Sequence, residues 1–399
     1  MSRPIPLTEW KSETVPLDVK HRDLIQDALP KASLSPVRGT AEKYWINPKN
    51  YVGYVNVGDV SLIISPKIDV RRVLFLLTYS LDPKYWKDGL VDVKDDDTLN
   101  EAIARIFIRS AKDALRGGPL LGYRTVDESI HGFKGRVRFD DQCRRHQRLA
   151  IPIEVTFDDL SLDIEENQLV LAAARKLRRL RRLDSGSDAQ LRSIERSLAE
   201  VELKDFHLLD VPNPIITRLN RHYSPVLKIA RLILQNSSIE LGEGSSPDES
   251  LLFDMGVVFQ NFVHTALAES LQLSPTQFPS PHQTELFLDH NEKIKLEPDL
   301  SWWKSNRCEF VGDVKYKSNT NSGNGHSEDI YQVLAYAIGA GLSSATLVYG
   351  QSNGGQLITH TTVNGVKVHI EALNLDSEPQ QLLNEVDDLA TRLKTRCAH

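Results

Sequence analysis

Apolar and polar residues alternate with a period of two in three runs of the C-terminal third. The runs span residues 283–289, 293–302 and 307–316, and short polar turns separate them, which predicts an antiparallel meander. A helical period follows over residues 328–340, and the apolar run 345–349 then predicts a buried strand. The predicted order is therefore three strands, a helix and a further strand.

Similar patterns cover the rest of the chain. Alternation on both sides of Gly58-Asp59 predicts a hairpin within residues 43–68, and residues 121–157 return to strand-like patterning. A last hairpin is predicted from residues 356–362 and 367–375. Apolar positions three and four apart predict helices over residues 71–81, 99–115, 163–183, 188–201, 223–234, 251–271 and 378–393. Asp163 with Glu166 three residues on predicts a capped start for the helix over 163–183, and Ser185-Gly186-Ser187 predicts the break after it.

Breaks in these patterns predict three domains. The segment from Leu241 to Pro247 is rich in Gly and Ser and has the composition of a linker. We expect a mixed, β-rich N-terminal domain over residues 1–160 that binds a partner, and a helical middle region over 161–245. Residues 246–399 would fold as an autonomous domain. The predicted fold class is a multidomain α+β or α/β protein.

Composition narrows the class of protein. Hydrophobic residues make up 40% and charged residues 26% of the 399 positions, which is ordinary for a globular protein in water. No apolar run reaches membrane-spanning length, and the N-terminus lacks the apolar core of a signal peptide. We therefore expect a cytoplasmic protein without a membrane partner. The three cysteines are far apart, so neither a disulfide framework nor structural zinc is predicted.

The candidate chemistry lies in two phrases, Leu296-Glu297-Pro298-Asp299 and Asp313-Val314-Lys315. Asp313 and Lys315 are two apart on a predicted strand, so both side chains lie on one face. A proline before Asp299 suits a carboxylate at a strand end. Two carboxylates bind Mg²⁺ or Mn²⁺, and a lysine beside them can orient water or neutralise charge on a phosphate.

These residues predict metal-dependent phosphodiester hydrolysis. Asp299, Asp313 and Lys315 are the candidate catalytic residues, and the metal ligands would be Asp299, Asp313 and the carbonyl of Val314. The order of a helix, three strands, a helix and a strand, with carboxylates on the second and third strands, resembles the PD-(D/E)xK endonuclease core. That resemblance implies this fold for the C-terminal domain.

Gln332 and Tyr336 are four apart on the helix that follows, so they lie on one helix face. They resemble the QxxxY helix of some nucleases of this superfamily. The resemblance implies that they contact the DNA backbone or orient Lys315. Simple helix packing with a hydrogen bond is an equally good interpretation.

A longer resemblance runs from about residue 40 to residue 350. Together the ordered motifs resemble the McrC family, the nuclease subunit of the McrBC modification-dependent restriction systems, which act on 5-methylcytosine DNA. The motifs are Tyr51 to Lys67, Asp163 to Asn167, Phe253-Asp254-Met255, Gly312 to Lys317, and Asp329 to Tyr336.

The resemblance implies a division of labour. In that family the partner McrB is an AAA+ ring that hydrolyses GTP and translocates DNA, and McrC stimulates the GTPase and cuts. GTP would therefore act only through the partner, and double-stranded DNA would be the substrate. The chain itself has no Gly-Lys-Ser/Thr phosphate-binding loop, which agrees with this division.

The family usually has an acidic residue after the Phe of the helix that precedes the core, and this chain has Gln260 there. We count Gln260, with Gln332 and Tyr336, among the supporting site residues. A helix carboxylate helps to hold the metal in related nucleases, so the number of metal ions, one or two, stays open. Glu269 or Glu297 could compensate.

Charge is distributed unevenly. The net charge is −6, but residues 245–399 contain 19 acidic and 10 basic residues, which leaves about +3 for the rest. An acidic nuclease domain does not hold DNA tightly by counterion release, so delivery by a partner is expected. Six basic residues between Arg175 and Arg182 could bind phosphates, or could form a solvated or ion-paired helix surface.

Two other functions fit the same residues. The chain could be a nuclease-dead scaffold that activates a GTPase, although Asp299, Asp313 and Lys315 argue against this. It could instead be a stand-alone RecB-like exonuclease, for which the long N-terminal region is unusual. The sequence leaves open the modified base, the N-terminal segment that contacts the GTPase, and the stoichiometry.

Overall fold

The computed structural model describes residues 3–39, 43–83, 98–132, 134–145, 151–180, 183–206, 210–236, 250–317, 325–351 and 357–397. The chain forms two compact units. Unit 1 contains Met1–Ala102, Leu241–Ser245 and Leu252–His399, and unit 2 contains Ile103–Glu240 and Ser246–Leu251. Unit 1 is therefore built from the two ends of the chain, and unit 2 is an insertion between them.

The N-terminal part of unit 1 contains two small sheets. One has the strand order β1 (Arg3–Thr8), β6 (Val60–Ser65), β5 (Tyr51–Val57) and β10 (Leu251–Asp254). The other has the order β2 (Glu13–Pro16), β4 (Lys43–Asn47) and β3 (Ser33–Pro36). The predicted hairpin around Gly58-Asp59 is confirmed, since β5 and β6 pair antiparallel there. Because β10 belongs to the first sheet, the start of the C-terminal part is hydrogen-bonded to the N-terminal part.

The C-terminal part of unit 1 contains a five-stranded mixed sheet. Its strand order is β13 (Leu300–Lys304), β14 (Arg307–Lys315), β15 (Ser344–Gln351), β17 (Lys367–Asn374) and β16 (Ile358–Thr361). The β14–β15 and β15–β17 pairs are parallel, while the two edge pairs are antiparallel. A separate two-stranded sheet pairs β11 (Leu286–Phe287) with β12 (Lys295–Leu296).

The helices of unit 1 cover these sheets. They are α1 (Val19–Ala28), α2 (Val70–Leu81), the start of α3 (Leu99–Ala114), α8 (Met255–Leu271), α9 (Ser327–Gly339) and α10 (Pro379–Cys397). Helix α8 packs on α2 through the ring of Phe262, whose centroid is 5.4 Å from Phe75 and 5.5 Å from Tyr79. The hydroxyl of Tyr79 donates to Glu269 at 2.6 Å. The N-terminal part thus supplies a core surface for the helix that precedes the candidate site.

Unit 2 combines a β-sheet with helices. Its sheet has the order β7 (Gly122–Ile130), β9 (Ile153–Ser161) and β8 (Arg136–Val137). Besides the rest of α3, its helices are α4 (Phe139–Arg145), α5 (Glu165–Arg179), α6 (Ser185–Ser197) and α7 (Ser224–Asn236). Across the residues that the structure describes, no helix is both long enough and apolar enough to span a bilayer.

The compact units differ from the predicted division at residues 160 and 245. Sequence patterns are local, whereas residues 1–102 join unit 1 through β-sheet pairing and helix packing with residues more than 150 positions away. The predicted linker, Leu241 to Pro247, lies outside the described residues. The coarse prediction of a multidomain α+β protein is confirmed by the sheets and helices of both units.

Three local predictions need correction. The helix predicted over 251–271 is confirmed from Met255 to Leu271 as α8, but its start was wrong, because the apolar run Leu251-Leu252-Phe253 is buried as strand β10. Asp163 does not cap α5; its side chain accepts from Gln168 at 2.7 Å and from the Glu202 amide at 3.0 Å. The break predicted at Ser185 to Ser187 is the first turn of α6, which Asp184 caps by accepting from the Ser187 amide at 3.0 Å.

The predicted meander is also divided. Its middle run separates into β12 and β13 at Pro298 and Asp299, because a proline cannot donate to the strand ladder. Asp299 therefore lies at a strand end, as the sequence predicted. The helix predicted over 328–340 and the strand over 345–349 are confirmed as α9 and β15.

Candidate active site

Strand β14 positions two of the candidate residues. Asp313 and Lys315 lie opposite Leu347 and Tyr349 in the parallel pair with β15. The ammonium group of Lys315 is 2.5 Å from Oδ2 of Asp313, which confirms that alternate residues of this strand meet on one face. Gly312, the preceding residue, permits close packing, since an added Cβ would lie 3.0 Å from the Thr346 carbonyl oxygen.

Asp299 comes from the turn before β13 and meets the same strand. Its Oδ2 accepts from the Val314 amide at 2.9 Å, and its Oδ1 accepts from Nε2 of Gln260 at 2.7 Å. Burial, and then the nearby carboxylate of Asp313, raise the pKa of Asp299 to about 7. Two carboxylates held so close to each other favour a cation between them.

Asp313 is the most buried member of the pair, with none of its surface exposed. Burial raises its pKa above the ordinary value, although Lys315 counteracts this. Lys315 approaches Oδ2 only, and Oδ1 has no hydrogen-bond partner among the residues that the structure describes. A buried carboxylate oxygen without a donor is costly to fold. Asp299 and Asp313 therefore fit a hard divalent cation, which prefers oxygen ligands.

Helix α9 continues the polar network from Lys315. Its ammonium group donates to Oε1 of Gln332 at 2.9 Å, and Nε2 of Gln332 donates to the Tyr336 hydroxyl at 2.7 Å. That hydroxyl donates in turn to the Glu297 carbonyl at 3.2 Å. The structure thus brings Gln332 and Tyr336 to the lysine, as the interpretation that they orient Lys315 requires.

Electrostatics keep Lys315 charged. Burial lowers its pKa, but the carboxylates of Asp313, Asp299 and Asp329 together raise it by more, so the pKa lies above its ordinary value. Burial, followed by the charge of Asp313, also raises the pKa of Tyr336. Near neutral pH the network therefore contains an ammonium ion and a neutral phenol.

Neither glutamate suggested as a substitute for Gln260 lies in the cleft beside the site. Glu269 accepts from Tyr79, and Glu297 is exposed and pairs with Lys295 at 2.9 Å. Among the described residues, no three His, Cys, Asp or Glu side chains are grouped so that they could hold a metal ion. The structure brings together two carboxylates, those of Asp299 and Asp313, and Gln260 donates a hydrogen bond to Asp299.

The cleft beside this set has a volume of about 340 Å³. Its lining residues come from both ends of unit 1 and are Trp10, Lys31, Asn50, Asp254, Gly256, Val257, Gln260, Asp299, Val314, Lys315, Tyr316, Lys317 and Asp329. Val314 faces the cleft, and its role as a carbonyl ligand stays a prediction.

Sequence reasoning missed the second charged pair in this cleft. Asp329, at the start of α9, receives Lys317 at 2.9 and 3.0 Å and the Tyr349 hydroxyl at 2.6 Å. Lys317 continues the alternation of Asp313 and Lys315 along the chain, and that spacing was the available signal.

A buried glutamate next to the site was also missed. Glu9 accepts from the Lys67 amide at 3.1 Å and from the Tyr316 hydroxyl at 3.3 Å, while its Oε1 has no partner among the described residues. Burial raises the pKa of Glu9 to about 7. Lys67 lies over the ring of Tyr316, 4.0 Å from its centroid. No local pattern around Glu9 signals this contact, because its partner is more than 300 residues away.

Comparison with known proteins gives one family. Residues 46–350 match the family model described as McrBC 5-methylcytosine restriction system component. Among proteins of curated function, none matches this chain.

Two solved structures are similar. The first is a refined half-complex from a tetradecameric assembly of Thermococcus gammatolerans McrB AAA+ hexamers with bound McrC; it is 16% identical, with a TM-score of 0.57 over 98% of this chain and 100% of that chain. The second is the cryo-EM structure of the Thermococcus gammatolerans McrBC complex, which is 18% identical, with a TM-score of 0.42 over 67% of this chain and 88% of that chain. At this identity, the first likeness shows a shared fold.

Proposed function

Since the chain belongs to the family of McrBC 5-methylcytosine restriction system components, we propose that it is the subunit that cuts DNA in such a system. The reaction is metal-dependent hydrolysis of a phosphodiester in double-stranded DNA that contains 5-methylcytosine. The observation that carries this proposal is that Asp299 and Lys315 line one cleft, with the buried carboxylate of Asp313 2.5 Å from the Lys315 ammonium group.

Two carboxylates would hold the metal. Asp299 and Asp313 are the proposed ligands of Mg²⁺ or Mn²⁺, with the Val314 carbonyl as a third. The unpartnered Oδ1 of Asp313 and the pKa of about 7 at Asp299 support this assignment. When bound, the ion supplies a Lewis acid for the phosphate and lowers the pKa of a coordinated water.

The remaining residues position a charge. Lys315 stays protonated, so its part is to stabilise the negative charge that grows on the phosphate and to hold the attacking water. Gln332 and Tyr336 fix the direction of the ammonium group through consecutive hydrogen bonds. Gln260 restrains Asp299 by donating to its Oδ1. Hydrolysis adds one water across one P–O ester bond.

We assign the C-terminal part of unit 1 to the PD-(D/E)xK endonuclease fold. Helix α8 comes first, strands β13 and β14 follow, and α9 then leads into β15, which pairs parallel with β14. This order supports the assignment, as does the position of Asp313 and Lys315 at the end of β14.

The proposed partner is an AAA+ GTPase ring of the McrB kind. A structurally similar McrC is bound to McrB AAA+ hexamers. We propose that this chain stimulates the GTPase of such a ring and that the ring brings DNA to the cleft. The isolated chain is then expected to bind DNA weakly and to have no GTPase activity of its own.

Cleavage of methylated plasmid by the complex with the cognate GTPase tests the proposal. Asp313→Ala and Lys315→Ala should each lower the rate by at least about a hundredfold in Mg²⁺. Lys304→Ala, an exposed lysine on the same sheet, is the control and should cut normally. Stimulation of GTP hydrolysis should survive in all three variants.

Two outcomes would contradict the proposal. Substantial cutting by Asp313→Ala or Lys315→Ala would remove these residues from the chemistry. A parent complex that stimulates GTP hydrolysis but cuts no DNA would support the nuclease-dead scaffold instead.

A further inference from the structure

Part of the cleft surface comes from the N-terminal end of the chain. We call Trp10, Lys31 and Asn50 the N-terminal wall, since all three line the cleft that also contains Asp299 and Lys315. These residues lie 249 or more positions before Asp299 in the sequence and belong with it to unit 1. The wall holds a cation and an aromatic ring beside the candidate cutting site.

Lys31 is held in position by a fixed carboxylate. Its ammonium group donates to Oδ2 of Asp254 at 2.5 Å, and Oδ1 of Asp254 accepts from the Gly256 amide at 2.8 Å as the cap of α8. The side chain of Lys31 is 61% exposed, whereas that of Asp254 is 15% exposed. An ammonium group has three N–H donors, so Lys31 can bind an anion in the cleft while it keeps Asp254.

Trp10 has a strained backbone. Its φ is +62°, in the left-handed region that a bulky side chain rarely adopts, and Lys49 next to it has a φ of +55°. Three hydrogen bonds hold this arrangement: the Trp10 amide to the Lys49 carbonyl at 3.1 Å, Asn47 Nδ2 to the Trp10 carbonyl at 3.1 Å, and the Lys49 amide to Asn47 Oδ1 at 2.9 Å.

In this backbone conformation the aromatic ring of Trp10 lies at the cleft. The indole of Trp10 is 37% exposed, and the ammonium group of Lys49 lies 5.4 Å from its ring centroid. Strained residues that the surroundings hold in place are concentrated at functional sites. A tryptophan that served only the core would be buried, as Phe259 and Phe262 are.

We propose that the N-terminal wall binds the DNA backbone next to the scissile phosphate. Lys31 binds a neighbouring phosphate, and the indole of Trp10 packs against the adjoining nucleotide. This inference rests on the proposed nuclease function. It explains how a C-terminal region with 19 acidic and 10 basic residues over positions 245–399 gains phosphate contacts, because the N-terminal wall supplies them.

Salt-dependent DNA binding tests the wall without requiring cutting. The probe is a short fluorescent duplex, and the protein is the full chain carrying Asp313→Asn so that DNA stays intact. Fluorescence anisotropy over a series of NaCl concentrations gives the slope of log Kd against log salt. Lys31→Gln should reduce that slope by about 0.9, which corresponds to one lost phosphate contact.

Strand β4 supplies matched controls, because Lys43 and Trp45 are exposed residues of unit 1 outside the cleft lining. Lys43→Gln should leave the slope unchanged. Trp10→Ala should weaken binding about fivefold at constant slope, whereas Trp10→Phe and Trp45→Ala should bind like the parent. Circular dichroism and thermal unfolding of each variant establish that it is folded, and the slope of Lys31→Gln decides the inference if Trp10→Ala does not fold.

Each outcome decides the inference. An unchanged slope in folded Lys31→Gln, or a parent chain that binds no DNA at any salt concentration, would overturn it. A reduced slope in Lys31→Gln together with a parent complex that cuts no DNA would support the wall and contradict the nuclease. Normal cutting by the parent complex, together with an unchanged slope in Lys31→Gln, would support the nuclease and contradict the wall.

Discussion

Two carboxylates of equal burial, one in each unit, have opposite surroundings. Glu154 of unit 2 is 1% exposed and is satisfied by Arg138 at 3.1 Å, Arg145 at 3.3 Å and Ser129 at 2.5 Å. Asp313 of unit 1 is as deeply buried, yet its Oδ1 has no partner among the described residues. Unit 2 therefore surrounds its buried carboxylate with three donor side chains, whereas in the described part of unit 1 Lys315 is the only donor side chain that approaches Asp313, at 2.5 Å from Oδ2.

The same contrast appears in the pKa values. Burial raises the pKa of Asp299 and of Glu9 to about 7 in unit 1. In unit 2 burial also acts to raise the pKa of Asp163, but the hydrogen bonds from Gln168 and the Glu202 amide, together with nearby basic side chains, outweigh it, so the pKa is lowered. A carboxylate whose pKa is raised by burial beside a cleft is a candidate functional group, whereas the lowered pKa of Asp163 reflects its hydrogen bonds within unit 2.

The strongest test of this comparison separates the units. A fragment of residues 103–240 should fold alone, because its sheet and helices pack within unit 2. A fragment of residues 250–399 should not fold, since α8 would lose α2 and β10 would lose β5. Thermal unfolding followed by circular dichroism distinguishes them. A cooperative transition of the 250–399 fragment would support the autonomous C-terminal domain that the sequence predicted.

Replacing Asp313 and Glu154 by their amides should have opposite effects on DNA cutting and on the free energy of unfolding. Asp313→Asn should abolish cutting with little change in the free energy of unfolding, because the loss of the ion pair with Lys315 is offset by the loss of repulsion between the buried carboxylates of Asp313 and Asp299. Glu154→Gln should lower that free energy by about 2 kcal/mol, since it weakens two charge-assisted bonds, and should leave cutting intact. Urea unfolding and plasmid cleavage measure both. A stable, inactive Glu154→Gln variant would reverse the comparison.

The pH dependence of stability should also differ between the units. The folded-state pKa of Glu9, about 7, exceeds its unfolded value, so its contribution is complete at low pH and is lost as pH rises through 7. Glu9→Gln should therefore remove roughly 2 kcal/mol of the stability decrease between about pH 5 and about pH 8.

Asp163→Asn should change the pH dependence of stability in the opposite direction. Its folded-state pKa is lowered, so its contribution is present above the unfolded pKa and is lost as pH falls. The variant should be less stable than the parent at about pH 8, and the difference should shrink in acid. Urea midpoints at several pH values measure both trends. Parallel profiles of parent and Glu9→Gln would show that Glu9 is ionised throughout.

The smallest effect is expected on α5 of unit 2. Arg178 forms ion pairs with Glu195 and with Asp188, and Arg175 lies 3.4 Å from Glu195. These contacts favour the ion-paired interpretation of the basic run, so Arg178→Ala should change DNA affinity less than twofold. The anisotropy assay used for Lys31 measures this. A loss as large as that of Lys31→Gln would make α5 a second DNA surface.

Short-range patterns predicted the part of the site that is local in sequence. Asp313 and Lys315 share a strand face, and Gln332 is four residues from Tyr336 on a helix, so the period of each element brings them to one side. The proline before Asp299 placed that residue at a strand end. Such features need no knowledge of tertiary structure.

The wall and the buried glutamate could not be predicted in that way. Lys31 meets Asp254 across 223 positions, and Glu9 meets Tyr316 across 307 positions. Their local surroundings resemble ordinary polar turns, because the partner that gives them meaning is elsewhere in the chain. The run from Leu251 to Phe253 failed for a related reason, since a short apolar run fits a strand as well as a helix.

The insertion of unit 2 between Ala102 and Leu252 has a consequence for inheritance. The strands and helices that build the cleft lie outside the inserted stretch, so the proposed active site is encoded in two halves on either side of an exchangeable segment. Lengthening, shortening or replacing that segment alters no residue of the proposed active site. Changes of length or sequence are therefore tolerated best in the inserted stretch, because they leave the residues of the cleft unaltered.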